Sequence, residues 1–369
     1  HGLFAALSVL VVACPCAVGL ATPVALAAGL NKAARNHILI RDTSALEQMR
    51  NVDVVVFDKT GTLTEGHPTV IGWLWAQGQE EHYKDVLLAA ESTSDHPLAE
   101  AIVTALEGEE QVIPAHLDGF ENITGKGVRV AYQGAEYWVG SHKLLKDYQA
   151  NLSDILADML TQYESDGNSI VYFGRENDLL AVIAIKDQLR VTSMEAIREL
   201  RIQDIEICML TGDGERTASS VAGSLGIMRF VADAMPDDKE DFIHKLQLQG
   251  KTVAMVGDGV NDAQALSCAD VSIAMGKGTD TLMDTAMITL RTSDLLLLPK
   301  VFRLSRQTVS LMYRNLFWAF IYNTVGIFVA AGVLYPVYDI LLSPALAGAA
   351  MALSCVSVAL SSLRLSSRF

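Results

Sequence analysis

The sequence has few cysteines, little positive charge and no initiator methionine. A net charge of −15, from 28 basic and 43 acidic residues, argues against a nucleic-acid partner. No signal peptide, internal repeat or low-complexity segment is evident, and the chain opens directly on an apolar run, so we expect a fragment. The scarcity and scatter of the cysteines exclude the disulfide framework of a small secreted domain. The five are Cys14, Cys16, Cys208, Cys268 and Cys355.

Apolar residues are abundant by contrast. They make up 50% of the chain, and the mean hydropathy of +0.28 is too high for a purely soluble protein. Residues 3–30, 316–335 and 340–363 each approach the roughly 20 apolar residues that cross a bilayer. Basic residues cluster at their inner ends, which the positive-inside rule places in the cytoplasm. We therefore expect a multi-pass membrane protein, embedded in membrane lipid, with one cytoplasmic insertion at about 36–310.

The insertion alternates short apolar runs with amphipathic segments. This pattern is typical of a doubly wound parallel α/β sheet. A stretch of different character, residues 67–178, interrupts the sheet after its first strand and suggests an inserted α+β domain. The predicted strands are 52–57, 180–185, 205–210, 252–256 and 271–274, and the predicted helices are 195–201, 218–225, 239–248 and 263–268.

The most specific pattern is the run DKTGTLT at residues 58–64. A carboxylate at the C-terminal end of a buried strand, followed by a tight turn, is placed as a nucleophile at the mouth of an open α/β sheet. The run resembles the phosphorylation signature of P-type ATPases, in which the aspartate takes the γ-phosphate of ATP. The resemblance implies that Asp58 forms an aspartyl phosphate.

Three further motifs favour phosphoryl transfer. Thr211-Gly212-Asp213 offers a hydroxyl and a backbone N–H to phosphate, Lys239 offers a cation, and GDGVND at 257–262 offers carboxylates for Mg²⁺. With Asp58, they are expected to converge on one sheet edge, and they resemble the haloacid dehalogenase-like phosphorylation domain of P-type ATPases. The resemblance implies that Mg²⁺ is held by Asp58, Asp258 and the Thr60 carbonyl. It also implies that Thr211 and Lys239 contact the phosphate and that Asp187 lies nearby. The full set of implied catalytic residues is Asp58, Thr60, Thr211, Gly212, Asp213, Lys239, Asp258, Asn261 and Asp262.

Thr60 bears on an alternative function. Soluble phosphatases of this fold carry a second aspartate two residues after the nucleophile, which acts as general acid and base. A threonine there cannot transfer that proton, so the acyl phosphate should persist, as a pump cycle requires. This disfavours a membrane-tethered phosphatase. A fragment without catalytic function, which only binds metal or partner helices, is disfavoured by the intact catalytic set.

The inserted region contains a candidate nucleotide site. Its motifs SDHPL at 94–98 and GKG at 125–127 resemble the nucleotide-binding domain of heavy-metal P-type ATPases. The resemblance implies that His96 and Pro97 line the adenine pocket, and that Gly125 and Gly127 let the backbone approach the base. The family usually has Glu where this chain has Asp95, and we expect the shorter carboxylate to weaken a contact.

The first apolar run contains Cys14-Pro15-Cys16. Pro15 removes a helix hydrogen bond and kinks or unwinds the helix, which lets two thiols approach one ion. This arrangement favours metal binding over a disulfide. It places the chain among proteins that resemble the CPx-type heavy-metal ATPases, over all 369 residues.

The last two apolar segments predict the metal. Tyr322 and Asn323 in one, and Met351 and Cys355 in the other, resemble the signatures of copper(I) pumps. Thiolate and thioether ligands favour Cu(I) or Ag(I). Zinc and cadmium pumps, the nearest alternative, add an intramembrane Asp and Lys, and the two final helices are predicted to contain no charged residue. Cys355 stands where the copper pattern has Ser, and Phe328 where it commonly has Pro.

The predicted layout has five parts. They are a membrane helix with a cytoplasmic extension at 1–35, a phosphorylation domain at 36–66 and 179–295, a nucleotide-binding domain at 67–178, and two membrane helices at 296–369. The resemblance implies ATP and Mg²⁺ as cofactors, Cu(I) as transported ion, export across the plasma (inner) membrane, and a copper chaperone as partner. No Thr-Gly-Glu actuator loop occurs, so we expect the actuator domain and earlier helices to belong to a missing N-terminal half, without which the chain should not turn over.

Overall fold

The structure is a computed structural model that describes residues 2–76, 80–94, 96–109, 112–150, 154–258, 262–276, 286–338 and 341–367. The chain divides into two compact units. The helical unit comprises His1–Asn51, Met287–Thr292 and Leu297–Phe369, and the α/β unit comprises Val52–Ala286 and Ser293–Leu296.

Helices and strands alternate through most of the described chain. The helices are α1 Gly2–Val12, α2 Cys16–Arg35, α3 Ser44–Met49, α4 Glu80–Glu91, α5 Pro97–Glu107, α6 His142–Asp147, α7 Asp154–Ser165, α8 Ser193–Ile202, α9 Glu215–Leu225, α10 Pro236–Leu248, α11 Ala263–Cys268, α12 Leu297–Ala330, α13 Tyr335–Tyr338 and α14 Pro344–Ser367. The strands are β1 Ile38–Ile40, β2 Val54–Asp58, β3 Thr69–Trp75, β4 Gly119–Ile123, β5 Gly127–Tyr132, β6 Ala135–Gly140, β7 Ser169–Arg175, β8 Asp178–Lys186, β9 Glu206–Leu210, β10 Arg229–Val231, β11 Val253–Gly257, β12 Val271–Met275 and β13 Ile288–Leu290.

A parallel sheet forms the first layer of the α/β unit. Its strands lie in the order β12-β11-β2-β9-β10, and each neighbouring pair runs parallel. Strands β2, β11 and β12 are buried at every position, which explains why they are apolar apart from Asp58 and Ser272. Helices α10 and α11 pack against the sheet through Ile243, Leu246 and Leu266. The predicted strands 52–57, 205–210, 252–256 and 271–274, and the four predicted helices, are confirmed with small shifts of their ends.

A second, antiparallel sheet corresponds to the predicted insertion. Its six strands lie in the order β3-β8-β7-β6-β5-β4, with α4 and α5 in one of its apolar clusters and α6 and α7 in another. The prediction that 180–185 belongs to the parallel sheet is wrong, because this segment is β8 and pairs antiparallel with β3 and β7. Both kinds of strand are apolar when both faces are covered, so hydropathy could not separate them.

The helical unit contains the predicted break at the Cys-Pro-Cys motif. Helix α1 ends at Val12 and α2 begins at Cys16, with Pro15 preceding it. A Cβ on Gly29 would lie 2.6 Å from Thr308 Oγ1, so α2 and α12 approach closely at this position. Strands β1 and β13 pair antiparallel in the same unit.

Two candidate membrane spans are present among the described residues, Ala5–Arg35 and Pro344–Leu365. They correspond to the first and third predicted spans. The second, 316–335, is not among them. Its apolar part lies at the end of α12, which stops at Ala330, and a left-handed Gly332 follows. About 15 apolar helical residues are short of the roughly 20 that cross a bilayer.

Candidate active site

Three predicted active-site segments follow neighbouring strands of the parallel sheet. Asp58 is the last residue of β2, Thr211 directly follows β9, and Asp258 directly follows β11. Because β2 lies between β11 and β9, the three segments meet at one sheet edge. The three segments therefore converge as predicted, whereas the catalytic roles of their residues stay predictions.

Lys239 holds the candidate nucleophile. Its Nζ donates to Asp58 Oδ1 at 2.6 Å and to Asp262 Oδ1 at 2.7 Å, and all three residues are buried. Burial by itself would lower the pKa of Lys239, but the two carboxylates outweigh that effect and raise it. The lysine therefore remains a cation beside Asp58. It lies in the first turn of α10, where Asp238 caps the helix by accepting from the Met235 N–H.

Asp258 lies directly against the loop that follows Asp58. A Cβ on Gly61 would lie 1.4 Å from Asp258 Oδ2, and Gly61 has φ +71°, so both space and backbone require glycine there. Arg190 fixes the same loop, because its guanidinium donates to the carbonyl oxygens of Gly61 and Thr62. The sequence-based interpretation missed Arg190. The available signal was a basic residue four positions after Lys186, in the same segment as Asp187.

The acidic groups here form a candidate cation site. Carboxylate oxygens of Asp58, Asp258 and Asp262 lie within 4.8 Å of one another. Burial, and next the charge of Asp58, raise the pKa of Asp258 to about 7, and the same two causes raise the pKa of Asp262. Crowded carboxylates of this kind are relieved by a hard cation, and an all-oxygen donor set fits Mg²⁺. Thr60 lies in the loop beside them, half-buried, and Asn261 lies outside the described residues.

The Thr211-Gly212-Asp213 turn is tied to the loop after Asp58. Thr211 is buried, and its hydroxyl accepts from the Asp213 N–H at 3.1 Å. The Asp213 carboxylate pairs with Lys59, which also donates to Ser169 Oγ at 3.1 Å. Burial opposes ionisation, but Lys59 outweighs it and lowers the pKa of Asp213. Asp213 therefore positions Lys59, a buried residue to which the sequence pattern gave no role.

Asp187 stabilises the far end of the signature loop. Its Oδ2 accepts from Thr64 Oγ1 at 2.5 Å, and its Oδ1 accepts from the Gly66 N–H at 3.1 Å. The sequence-based placement of Asp187 near this site agrees with these contacts. Their effect is to hold the chain where it leaves the DKTGTLT run.

The candidate nucleotide residues lie on α5 and on the turn between β4 and β5. His96 caps α5, with Nδ1 accepting from the Leu98 N–H at 3.2 Å, and Pro97 is the first helical residue. Gly125 and Gly127 have φ +67° and +144°, and a Cβ on Gly127 would lie 2.1 Å from the Val139 carbonyl oxygen. Asp95 lies outside the described residues.

Glu91, five residues before His96, is a functional candidate that the sequence-based interpretation missed. It is the last residue of α4 and is only 6% exposed. Burial raises the pKa of its carboxyl to about 7. A buried carboxyl that is part-protonated at neutral pH can both donate and accept hydrogen bonds. The sequence signal that could have identified Glu91 was an acidic residue directly after the apolar last turns of α4.

The two cysteines of the first apolar run are joined by a disulfide. The Cα atoms of Cys14 and Cys16 are 5.5 Å apart, in the break between α1 and α2. The expectation of unbridged thiols is therefore wrong for this structure. With the helix open at Pro15, residues two apart come to the same side, which favours either a bridge or a shared metal ion. Only the reduced pair can supply thiolates.

The other predicted metal ligands lie on α12 and α14, at different places. Met351 packs near Val12 at the end of α1, and Cys355 packs near Ala17 at the start of α2. Asn323 Oδ1 is a buried atom without a hydrogen bond among the described residues, as is Ser354 Oγ beside Cys355. Tyr322 lies on the exposed face of α12, 48% exposed, and stacks on Trp318. The structure thus brings Met351 and Cys355 to the helix break and turns Tyr322 outward.

Comparison with known proteins defines the class. The profile of the haloacid dehalogenase-like hydrolases matches residues 52–270, more than half of the chain. The chain therefore belongs to the haloacid dehalogenase-like hydrolase family. The predicted fold, an α/β domain of this type with an inserted nucleotide-binding domain and flanking apolar helices, is confirmed.

Within that family, the chain is similar to metal-exporting P-type ATPases. It is 44% identical over 365 residues to the copper-exporting P-type ATPase of Legionella pneumophila, which is 99% of this chain and 49% of that protein. It is 45% identical over 370 residues to the silver exporting P-type ATPase of Salmonella typhimurium, which is 100% of this chain and 44% of that protein. The predicted resemblance to heavy-metal P-type ATPases, and with it an enzyme family, is confirmed. The chain spans about half the length of these relatives.

Solved structures give the same class. A zinc-transporting PIB-type ATPase in the E2.Pi state matches 96% of this chain and 56% of its own, with a TM-score of 0.67 and 34% identity. The catalytic domain of the CPx-ATPase CopB-B matches 73% of this chain and 96% of its own, with a TM-score of 0.61 and 28% identity.

Proposed function

We propose that this chain carries the phosphorylation, nucleotide-binding and part of the transport machinery of an ATP-driven Cu(I) or Ag(I) exporter. The observation that supports it most is the environment of Asp58. This carboxylate ends a buried strand, contacts the buried cation Lys239 at 2.6 Å, and lies beside Asp258 and Asp262. An ion-paired carboxylate beside a cation site has what an aspartyl-phosphate intermediate needs.

The proposed reaction begins with attack of an Asp58 oxygen on the γ-phosphorus of ATP. The new O–P bond forms as the bond to the bridging oxygen breaks, and ADP leaves with that electron pair. Lys239 offsets the charge on the transferring group, and the Thr211 hydroxyl and nearby N–H groups donate hydrogen bonds to its oxygens. Mg²⁺, when bound by Asp58, Asp258 and the Thr60 carbonyl, would neutralise phosphate charge. Thr60 provides no general base for rapid hydrolysis.

ATP recognition is proposed for the antiparallel domain. His96 and Pro97 begin α5, and the backbone at Gly125 and Gly127 is approached closely by Met235 and by the Val139 carbonyl, so only glycine fits at these two positions. Glu91, with its raised pKa, can hydrogen-bond to both the amino group and a ring nitrogen of adenine. Asp95 would contribute from the segment next to His96.

The transported ion is proposed to bind at the break between α1 and α2. Reduced Cys14 and Cys16 supply thiolates, and Met351 and Cys355 supply further soft ligands from α14. Asn323 lies in the same unit and has a buried oxygen without a hydrogen bond among the described residues. A zinc ion is the second candidate, since a solved zinc-transporting relative aligns with 96% of the chain. Cu(I) or Ag(I) is favoured over zinc, because Met351 and Cys355 are soft donors and the facing parts of α12 and α14 are apolar.

The cellular setting belongs to the same proposal. The catalytic domains would face the cytoplasm, with the apolar helices in the lipid of a plasma (inner) membrane. Turnover would require an actuator domain and further helices like those of the longer relatives, and a copper chaperone would deliver the ion. Export is proposed as the direction of transport because these relatives are named as exporters.

The test is covalent labelling of the reduced chain with γ-phosphate-labelled ATP, with and without Cu(I). We expect an acid-stable, hydroxylamine-sensitive label that Asp58→Asn abolishes. Asp53→Asn is the matched control, because Asp53 precedes the same strand at its other end and accepts from the Thr252 N–H. It should label like the parent.

Two outcomes would contradict the proposal. Label that persists in Asp58→Asn would remove the aspartyl-phosphate assignment. Label that is stimulated by Zn²⁺ but not by Cu(I) or Ag(I), and is unaffected by the double change Cys14→Ser and Cys16→Ser, would remove the metal assignment while leaving the chemistry. Rapid phosphate release from small phosphoesters without ATP would support the phosphatase alternative.

A further inference from the structure

A second group of metal-binding side chains lies on α10 and α11, outside the proposed phosphorylation machinery. Glu240 and His244 are four residues apart on α10, so they occupy the same helix face one turn apart. Cys268 is the last residue of α11. A carboxylate oxygen, an imidazole nitrogen and the Sγ atom of these residues lie within 4.8 Å of one another.

The hydrogen bonds around His244 orient its ring for a ligand. Gln247 Nε2 donates to the Cys268 carbonyl at 2.9 Å and to Asp270 Oδ2 at 3.2 Å. Both partners only accept, so the orientation of the amide is determined and its Oε1 is an acceptor. That oxygen lies 3.1 Å from His244 Nδ1, which must therefore carry the hydrogen. The neutral ring then has its lone pair on Nε2.

A ring nitrogen of His244 lies within 4.8 Å of both Glu240 and Cys268. His244 Nε2 lies 3.5 Å from Glu240 Oε1, and the Cys268 thiol shares a hydrogen bond with Glu240. A histidine that donates from one ring nitrogen to a fixed acceptor, with the other nitrogen near a carboxylate, has the arrangement typical of metal-bound histidines.

We propose that Glu240, His244 and Cys268 form a binding site for a Zn²⁺-class divalent ion. Zn²⁺ accepts one nitrogen, one sulfur and one carboxylate oxygen, with water as the fourth ligand. Mg²⁺ and Ca²⁺ prefer all-oxygen sites, which disfavours them here. Because ligand oxygen, nitrogen and sulfur atoms of a tetrahedral site are roughly 3 to 4 Å apart, modest side-chain rotation from the observed positions is sufficient. His244 is exposed, so an ion can reach the site.

The site would connect two helices that carry active-site groups. Lys239 directly precedes Glu240 on α10, and Asp262 directly precedes α11. Their side chains are 2.7 Å apart at the sheet edge. A metal ion at the other end of α11 would thus hold α10 and α11 together at a second point, and binding would raise the stability of the folded chain.

Cobalt provides a direct test. The full chain is prepared reduced, with Cys14→Ser, Cys16→Ser and Cys355→Ser so that the thiols of the helical unit cannot bind cobalt. We expect Co²⁺ to give the intense visible bands of tetrahedral coordination and a thiolate-to-cobalt charge-transfer band. Stoichiometric Zn²⁺ should remove both. Zn²⁺ should also raise the unfolding temperature of this protein.

Three added variants assign the ligands. Cys268→Ser should remove the charge-transfer band, and His244→Gln should weaken Co²⁺ binding at least tenfold. Gln247→Leu should keep the band but weaken binding by roughly 10-fold, as expected for loss of an outer-shell partner. His116→Gln is the matched control and should behave like the parent.

Several results would overturn the proposal. They are cobalt spectra that stay octahedral, a charge-transfer band that persists in Cys268→Ser, and binding of Ag(I) with no binding of Co²⁺ or Zn²⁺. His244 is exposed, so His244→Gln should fold even if Cys268→Ser does not. Unchanged Zn²⁺ stabilisation in His244→Gln would also contradict the site.

Discussion

At the scale of single residues, the proposed active site depends on close approaches that tolerate few substitutions. The oxygen of Asp258 occupies the space that a side chain on Gly61 would need. The same glycine has a left-handed backbone. These two constraints are independent, and a second glycine in the same unit separates them. Gly250 has φ +79°, but apart from its chain neighbours no described heavy atom lies within 4 Å of the position that its Cβ would take.

We predict that Gly61→Ala abolishes phosphoenzyme formation while Gly250→Ala does not. Both changes place an alanine where the backbone is left-handed, which lowers the free energy of unfolding by about 1 kcal/mol. Only Gly61→Ala also displaces the Asp258 carboxylate, and with it the cation site. Labelling with γ-phosphate-labelled ATP, beside thermal unfolding, measures the two effects. Equal labelling of both variants would contradict the tight contact.

A second prediction concerns pH. The pKa of Asp258 is raised to about 7 in the folded state, above its ordinary value near 3.9. Between these values the folded chain binds more protons than the unfolded chain, so stability should fall as pH rises from about 4 to about 7. Above pH 7, Mg²⁺ should offset this loss. Unfolding temperatures at pH 5 and pH 8, with and without Mg²⁺, check both statements.

The matching variant is Asp258→Asn, which removes the titrating charge but keeps the side-chain shape. Without Mg²⁺ we expect it to raise stability at pH 8, by about 1 kcal/mol or more, and to raise it by less at pH 5. The stabilisation by Mg²⁺ should shrink in the variant. A variant that is less stable than the parent at pH 8 without Mg²⁺ would show that Asp258 is not a strained charge.

At the scale of elements, the break between α1 and α2 is the informative feature. Pro15 directly precedes α2, whereas Pro23 lies inside the same helix without ending it. The two prolines therefore differ in context. Pro15 has no continuous helix on its N-terminal side, and the break brings Cys14 and Cys16 together.

We predict that Pro15→Ala extends α2 toward α1 and separates the two thiols. Residues two apart on a continuous helix point about 160° apart around its axis, since each residue turns by about 100°. Cu(I) affinity of the reduced chain should therefore fall by at least tenfold. Pro23→Ala is the control and should bind like the parent. A competition titration against a Cu(I) chelator measures both, and equal loss in the two variants would contradict the role of the break.

At the scale of the whole chain, the α/β unit joins two sheets of different type. Helix α9, which follows the Thr211 motif, contacts the segment that leads into β7. The Thr217 hydroxyl donates to the Asn168 carbonyl at 2.7 Å and is buried, whereas the Ser220 hydroxyl donates to the Ser165 carbonyl at the surface. These bonds link the parallel sheet to the nucleotide-binding domain next to Ser169, which contacts Lys59 and Asp213.

We predict that Thr217→Val weakens this link by about 1 to 2 kcal/mol, because it leaves a buried carbonyl without its donor. Ser220→Ala should cost less than half as much, since water replaces the exposed bond. Hydrogen exchange of the amides of β7 measures the opening, and phosphorylation at limiting ATP measures its effect on nucleotide use. Identical exchange in both variants would show that the Thr217 bond does not connect the sheets.

Several features follow from the sequence alone because they are local. Asp58, Thr211 and Asp258 each follow an apolar run, and a doubly wound sheet must bring such strand ends to one edge. The break at Pro15 was also predicted locally, because proline lacks the N–H of a continuous helix, although Pro23 within α2 shows that this lack alone does not end a helix. The DKTGTLT run already indicated the family that comparison then confirmed.

Other features were decided only by tertiary structure, because they depend on partners distant in sequence. The run 180–185 is apolar in either sheet, and only pairing with β3 and β7 decides which one it joins. Lys59 and Glu91 gain their importance from burial, which no local pattern specifies. Likewise, Glu240, His244 and Cys268 become a candidate site only because α10 packs against α11. Neighbouring strand ends can be inferred from chain order, but side-chain contacts between packed helices cannot.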